Sequence, residues 1–262
     1  MSDILTLRGF CAGYGRKQVL KGIDLTLKGG ELTVLLGENG CGKTTLLRSA
    51  AGLLKGSGTC LLKEKPLSAC TNAEKAKLIS YLPQQGGVSL PMNALDLILL
   101  GFYPEETRFK TNKEDEIKRA MELLAAFGAE KLADEEFTRL SGGQKQLILL
   151  CRVLLRNVQL LLLDEPGSAL DLMNRRRVYG YLSRRAQETG EAVLVSCHDI
   201  NQALRFADRI LLMKDGLVAG DTCPASDCAD DVRKAFHTIW PGAEIIERGG
   251  KYLLTGEFDN EA

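Results

Sequence analysis

Between residues 18 and 28 the apolar side chains Ile23, Leu25 and Leu27 alternate with Asp24, Thr26 and Lys28. A period of two predicts a strand buried on one face, of the kind common in antiparallel sheets. The pattern then changes. Residues 31–36 form a short, nearly continuous apolar run stopped by Gly37, which predicts a strand buried on both faces, followed by a helix from Lys43 to about Leu53. Residues 160–164, 192–196 and 209–213 read as further buried strands, shorter strands are expected at residues 59–63 and 79–82, and helical stretches lie between them. Strands alternating with helices predict an α/β fold with a mostly parallel sheet, preceded here by an antiparallel N-terminal β part. From Gln84 to Leu140 the texture is helical: Asn93 stands where it caps a helix through Leu100, and Ile117, Met121, Leu124 and Phe127 recur at helical spacing. The expected division is a discontinuous core, residues 1–85 and 158–262, with an α-helical subdomain inserted at residues 86–157. Near the C-terminus, residues 243–248, Gly249-Gly250 and residues 251–255 read as a hairpin.

Composition narrows the class. With 262 residues and 45% apolar content the chain can bury a sizeable core. Lys plus Arg equals Asp plus Glu at 34 each, so the general attraction to polyanions expected of a nucleic-acid binder has no support. The longest apolar runs fall far short of the ~20 residues needed to cross a bilayer, and Met1-Ser2-Asp3 opens no leader pattern, so a cytosolic chain is expected. Eight cysteines without a C-x-x-C pair, beside only two histidines, point to reduced thiols rather than a zinc framework.

The chemistry concentrates in a few segments. Gly37-Glu38-Asn39-Gly40-Cys41-Gly42-Lys43-Thr44, with Thr45 following, fits G-x-x-x-x-G-K-[ST] between a strand and a helix. Its glycines let consecutive amides point at a phosphate, with Lys43 and Thr44 at the helix mouth. Leu140-Ser141-Gly142-Gly143-Gln144 supplies a second anion surface: Ser141 caps a new helix, and two glycines open its amides and positive end to a ligand. Asp164 and Glu165 end a buried apolar strand, where one carboxylate can hold magnesium and its neighbour can orient and deprotonate water.

Together these segments resemble the ATP-binding subunit of the ATP-binding-cassette (ABC) transporters, a P-loop NTPase family, and the similarity runs over nearly the whole chain. The resemblance implies ATP and Mg2+ as ligands, with Thr44, Gln84 and Asp164 around the metal and Lys43, Gln84, Glu165 and His198 in catalysis. Gln84 matches the family's γ-phosphate sensor, with Gln85 as the reserve, and His198 matches the switch histidine. Asp171 matches the loop that crosses to a second subunit. Tyr14 matches the aromatic that stacks on adenine; covering a sheet edge is the other reading open to it. The implied assembly is a head-to-tail homodimer in which Ser141, Gly142, Gly143 and Gln144 of one copy close over ATP held by the other. It would sit on the cytoplasmic face of the membrane through integral permease subunits, fed by an extracytoplasmic substrate-binding protein.

Within the family, Gly101-Phe102-Tyr103-Pro104 resembles the importer branch for iron-siderophores, haem and cobalamin. Three rival readings stand beside this one. A GTPase would read Asp164 to Gly167 as D-x-x-G and residues 112–115 as N-K-x-D, but these stand in the wrong order, and residues 111–114 fit a capping box better. A non-transport ABC ATPase acting in DNA repair, translation or cluster assembly is the second; those involving nucleic acid commonly carry two fused cassettes or long coiled-coil or basic insertions, and neither is visible. A regulatory module without turnover is the third, but Lys43, Glu165 and His198 are all present. Three departures stand out. Gly167 is expected to loosen the turn after Glu165. Lys145 and Leu147 replace common arginines. Cys41 lies inside the phosphate loop, either as a small turn residue or as a thiol whose ionisation the helix start favours. Apart from these, Arg175-Arg176-Arg177 reads as a solvated helix face, or as a contact to a partner or lipid headgroups.

Overall fold

The computed structural model describes residues 2–84, 91–102 and 113–255. In chain order its elements are β1 (Asp3–Tyr14), β2 (Lys17–Lys28), β3 (Leu32–Gly37), α1 (Lys43–Ala50), β4 (Gly56–Leu62), β5 (Lys65–Pro66), α2 (Asn72–Leu78), β6 (Ile79–Leu82), α3 (Ala94–Leu99) and α4 (Lys113–Ala126). The second half adds α5 (Gly142–Leu154), β7 (Leu160–Asp164), α6 (Leu172–Thr189), β8 (Ala192–Ser196), α7 (Ile200–Phe206), β9 (Arg209–Lys214), β10 (Leu217–Thr222), α8 (Ala229–His237), β11 (Glu244–Arg248) and β12 (Lys251–Thr255).

Five parallel strands in the order β9-β3-β8-β7-β6, with antiparallel β10 at one edge, form the main sheet. Its strands alternate between two cores. Leu32, Val34 and Leu36, like Leu161, Leu163, Val193 and Val195, face α3 to α8 in one cluster, while Leu35, Leu160, Leu162 and Leu194 face α1 and the antiparallel sheet β2-β1-β4-β5 in the other. Burial on both faces is why these strands read as continuous apolar runs. The parallel register Leu35↔Ser196 and Asp164↔Ser196 brings the C-terminal ends of β3, β8 and β7 side by side. Ligands bind at such an edge in open α/β sheets.

Several boundaries differ from expectation. Helix α1 ends at Ala50, and Gly52 takes a left-handed φ of 69° just beyond it. Asn93 occupies the N-cap of α3 but its side chain makes no capping hydrogen bond; the isolated bridge Asn93↔Glu136 and the Ala94 amide to the Glu135 carbonyl at 2.9 Å hold that entry instead. The C-terminal hairpin forms as expected, with β11 and β12 paired antiparallel. No helix among the described residues is long and apolar enough to cross a membrane.

Candidate functional site

The phosphate loop leaves β3 through Gly37, where a Cβ would meet the Met213 carbonyl oxygen at 2.2 Å, so only glycine fits between β3 and β9. Gly40 and Gly42 take φ of 78° and 115°, turning successive amides inward before α1 begins. Lys43 is buried, and its ammonium donates to the carbonyls of Gly37 at 2.7 Å and Glu38 at 2.9 Å. Thr44 is exposed at the mouth and Thr45 is buried behind it.

Across the same sheet edge Asp164 is 1% exposed. Its Oδ1 accepts the Ser196 hydroxyl at 2.6 Å, and its Oδ2 has no hydrogen-bond partner among the described residues. A buried carboxylate oxygen without a partner is the donor a hard divalent cation takes. Glu165 follows at a left-handed φ of 51°, and its amide donates to Ser196 Oγ at 2.9 Å. Gln84 Nε2 donates to Glu165 Oε2 at 2.9 Å, and His198 Nε2 pairs with Glu165 Oε1. Three strand ends, β6, β7 and β8, thus converge on one carboxylate. Ser196 is the residue missed from sequence; its signal was its place at the end of a buried strand, two residues before His198.

Ser141 caps α5 in a reciprocal box: its hydroxyl accepts the Gln144 amide at 3.3 Å, and the Gln144 side chain accepts the Ser141 amide at 2.8 Å. A Cβ on Gly143 would lie 2.6 Å from the Ala169 carbonyl oxygen, whereas Gly142 has open space around it. Gly143 therefore lets α5 seat against the loop between Glu165 and Asp171. Asp171 caps α6 by accepting the Asn174 amide at 2.8 Å, which with further local hydrogen bonds holds its carboxyl below the usual range. Tyr14 ends β1 and is 43% exposed, with the Arg48 guanidinium 5.7 Å from its ring centroid. The exposed ring leaves a face available to a base.

Three expectations are corrected. Burial raises the Cys41 thiol pKa and outweighs the Lys43 charge and the amide hydrogen bonds at the helix start, which pull it down, so of the two readings the small turn residue stands and the activated thiolate does not. Arg175 is half-buried and tied down rather than simply solvated: it donates to the carbonyls of Gly167 at 3.2 Å and Leu170 at 3.1 Å and reaches Asp199 at 3.5 Å. Arg177 donates to the Phe127 carbonyl at 3.3 Å, and Arg176 is exposed. The turn at Gly167 is not loose, because Arg175 pins it and Ser168 Oγ donates to the Glu165 carbonyl at 3.1 Å. Leu147 is part of the core, and Lys145 lies 6.0 Å from the Phe137 ring centroid. Gln85, Tyr103, Pro104, Thr111 and Asn112 lie outside the described residues, so the reserve glutamine, half of the Gly-x-Tyr-Pro segment and the start of the capping box do too; Lys113 already lies in α4.

Comparisons with known proteins fit this geometry. The chain is 39% identical to the hemin import ATP-binding protein HmuV of Plesiomonas shigelloides, over 83% of this chain and 88% of that one. It is 30% identical to the iron(3+)-hydroxamate import ATP-binding protein FhuC of Bacillus subtilis, over 89% and 87%. Among solved structures, the dimeric post-hydrolysis state of the ATP-binding cassette MJ0796 bound to ADP and Pi superposes with a TM-score of 0.75 at 28% identity, covering 84% of this chain and 98% of that one. The ABC transporter family profile matches residues 20–168, and the chain belongs to that family as an ATP-binding subunit.

Proposed function

We propose that the chain is the ATP-hydrolysing subunit of an ABC importer and powers uptake of an iron-siderophore, haem or cobalamin-type substrate through a membrane permease dimer. The observation that carries this reading is the convergence of Gln84, Ser196 and His198 on the Asp164-Glu165 pair, at the same sheet edge as the phosphate loop. The names of the relatives, which concern hemin and iron(3+)-hydroxamate import, support the branch.

In this reading the amides of residues 37–45 hold the triphosphate, Lys43 neutralises it, and Tyr14 stacks on adenine. Thr44, Gln84 and the free Oδ2 of Asp164 would hold Mg2+, which offsets negative charge on the phosphates. Glu165 takes the proton of the attacking water, while Gln84 and His198 fix that carboxylate and the water. Ser141, Gly142, Gly143 and Gln144 of a second copy close over the γ-phosphate, and Asp171 stands at the shared seam. Residues 86–157 act as the helical subdomain that meets the permease. The homodimer so formed is peripheral to the cytoplasmic face of the membrane, and a substrate-binding protein delivers cargo on the other side.

The test is the Glu165→Gln variant with Mg-ATP, alone and assembled with its permease. Retained nucleotide, a stable dimer and hydrolysis reduced by about a hundredfold or more are expected, since the proton acceptor is lost. A variant that stays monomeric in both settings overturns the reading. Vesicle uptake of hemin, a ferric hydroxamate and cobalamin, assayed side by side, names the cargo.

A further inference from the structure

His198 lines two cavities. One, of about 390 Å³, holds Glu165, Gly167, Ser168 and Arg175; the other, of about 240 Å³, lies between Gly37, Glu38, Asn39 and the half-buried Trp240. Trp240 comes from the far C-terminal part of the chain, and its placement is built rather than incidental. Val232 and Phe236 of α8 are fully buried in the main core, the Phe236 ring stacks on Trp240 at 6.1 Å, and the Trp240 amide donates to the Phe236 carbonyl at 2.9 Å. The same C-terminal part grips the switch from behind. The Leu254 amide of β12 donates at 2.9 Å to Asn201 of α7, the helix that starts directly after His198-Asp199. Arg233 of α8 ties to the Ile245 carbonyl of β11 at 2.9 Å, so helix and hairpin form one unit.

We propose that Trp240 is a positioning residue for His198, whose imidazole has two stations. One is the pairing with Glu165 seen here. The other is the smaller cavity, where the indole forms the wall facing the phosphate loop and steers the imidazole toward the terminal phosphate of bound ATP. The C-terminal unit is thereby coupled to the nucleotide state through both Trp240 and α7. This inference rests on the ATPase reading above.

Trp240 is the single tryptophan of the chain, so its emission reports this cavity alone. With the full-length protein, saturating Mg-ATP is expected to shift Trp240 emission, Mg-ADP to shift it less, and His198→Ala to abolish the shift while ATP is retained. Trp240→Ala is expected to lower kcat about tenfold with KM within about twofold, the signature of misplaced chemistry rather than lost binding, and Trp240→Phe to restore most of it. Unchanged emission with nucleotide shown bound by radiolabel retention overturns the proposal. So does an equal shift in His198→Ala, which would mean that the nucleotide acts on the indole directly, or a wild-type kcat in Trp240→Ala. The emission arms need no change at Trp240, so a poorly folding alanine variant does not blunt them. A wild-type protein that neither binds nor hydrolyses ATP would overturn the ATPase reading and this inference together, whereas hydrolysis with silent emission removes this inference alone.

Discussion

The Ser196 hydroxyl donates to Asp164 Oδ1 at 2.6 Å and accepts the Glu165 amide at 2.9 Å, so one fully buried oxygen sets the Asp164 carboxylate and the backbone of Glu165. Ser196→Ala removes both bonds and leaves a buried carboxylate with neither oxygen partnered. The expected cost is about 1–3 kcal/mol in urea unfolding, together with a weaker response of ATPase activity to added magnesium. Unchanged unfolding and an unchanged magnesium titration would show that the bridge is dispensable. Cys41 gives a second test. Its thiol, pushed up by burial, is protonated at neutral pH, so alkylation there is expected to lag the exposed Cys228 by about tenfold or more. Its rate should climb as pH rises through the usual thiol range and beyond, because deprotonation is the limiting step; peptide mapping after timed iodoacetamide treatment reads this. Faster labelling of Cys41 than of Cys228 at pH 7 would restore the thiolate expectation. The phosphate loop was legible because its glycines and lysine are local in sequence, whereas the contacts of Arg175 were not: they run to carbonyls whose direction no side-chain pattern encodes.

At the scale of elements, α5 depends on its first turn. Because a Cβ on Gly143 would lie 2.6 Å from a backbone oxygen of Ala169, Gly143→Ala must push the helix start from the loop that ends at Asp171. ATP hydrolysis is expected to fall by about tenfold to a hundredfold while ATP affinity stays within about twofold, since the displacement affects geometry rather than the phosphate loop. Gly142→Ala, with nothing within 4 Å of its Cβ, should leave the melting temperature unchanged. Equal melting of the two variants would refute the steric account. The buried strands β3, β7, β8 and β9 could be read from sequence because burial on both faces leaves an unbroken apolar run. β1 could not: its register shifts between Leu7 and Phe10, around Gly9 at a φ of 53°, so the bulge breaks the alternation that would have announced a strand. β10 is an edge strand with mostly exposed or half-buried residues, which removes the apolar signal. α8 buries only Val232, Ala235 and Phe236 in nine residues, too short a stripe to stand out, and so the element that carries Trp240 to the site was invisible as well.

Across the whole molecule, the glycine-rich loop opens α1 and the capping box opens α5. The far end of α5 is anchored by one buried ion pair. Arg185 of α6 donates to Glu191 at 2.8 Å through both Nε and Nη2, and also to the Arg156 carbonyl at 2.7 Å and the Leu154 carbonyl at the last residue of α5. Glu191 in turn accepts the Val158 amide at 3.4 Å and precedes β8, the strand that ends in Ser196. The pair therefore joins the base of the capping-box helix to the strand whose Ser196 holds Asp164 and Glu165. Removing one partner leaves the other charged and desolvated, whereas replacing both leaves neither. Arg185→Met alone is expected to cost about 3–5 kcal/mol in urea unfolding, and the double variant Arg185→Met with Glu191→Leu clearly less than the sum of the singles. The double variant should recover stability more than it recovers hydrolysis, because apolar packing can fill the space but cannot hold the Leu154 and Arg156 carbonyls in place. If the double variant instead loses as much stability as both singles added together, the two residues act independently, and the anchor linking α5 to β8 is not the ion pair.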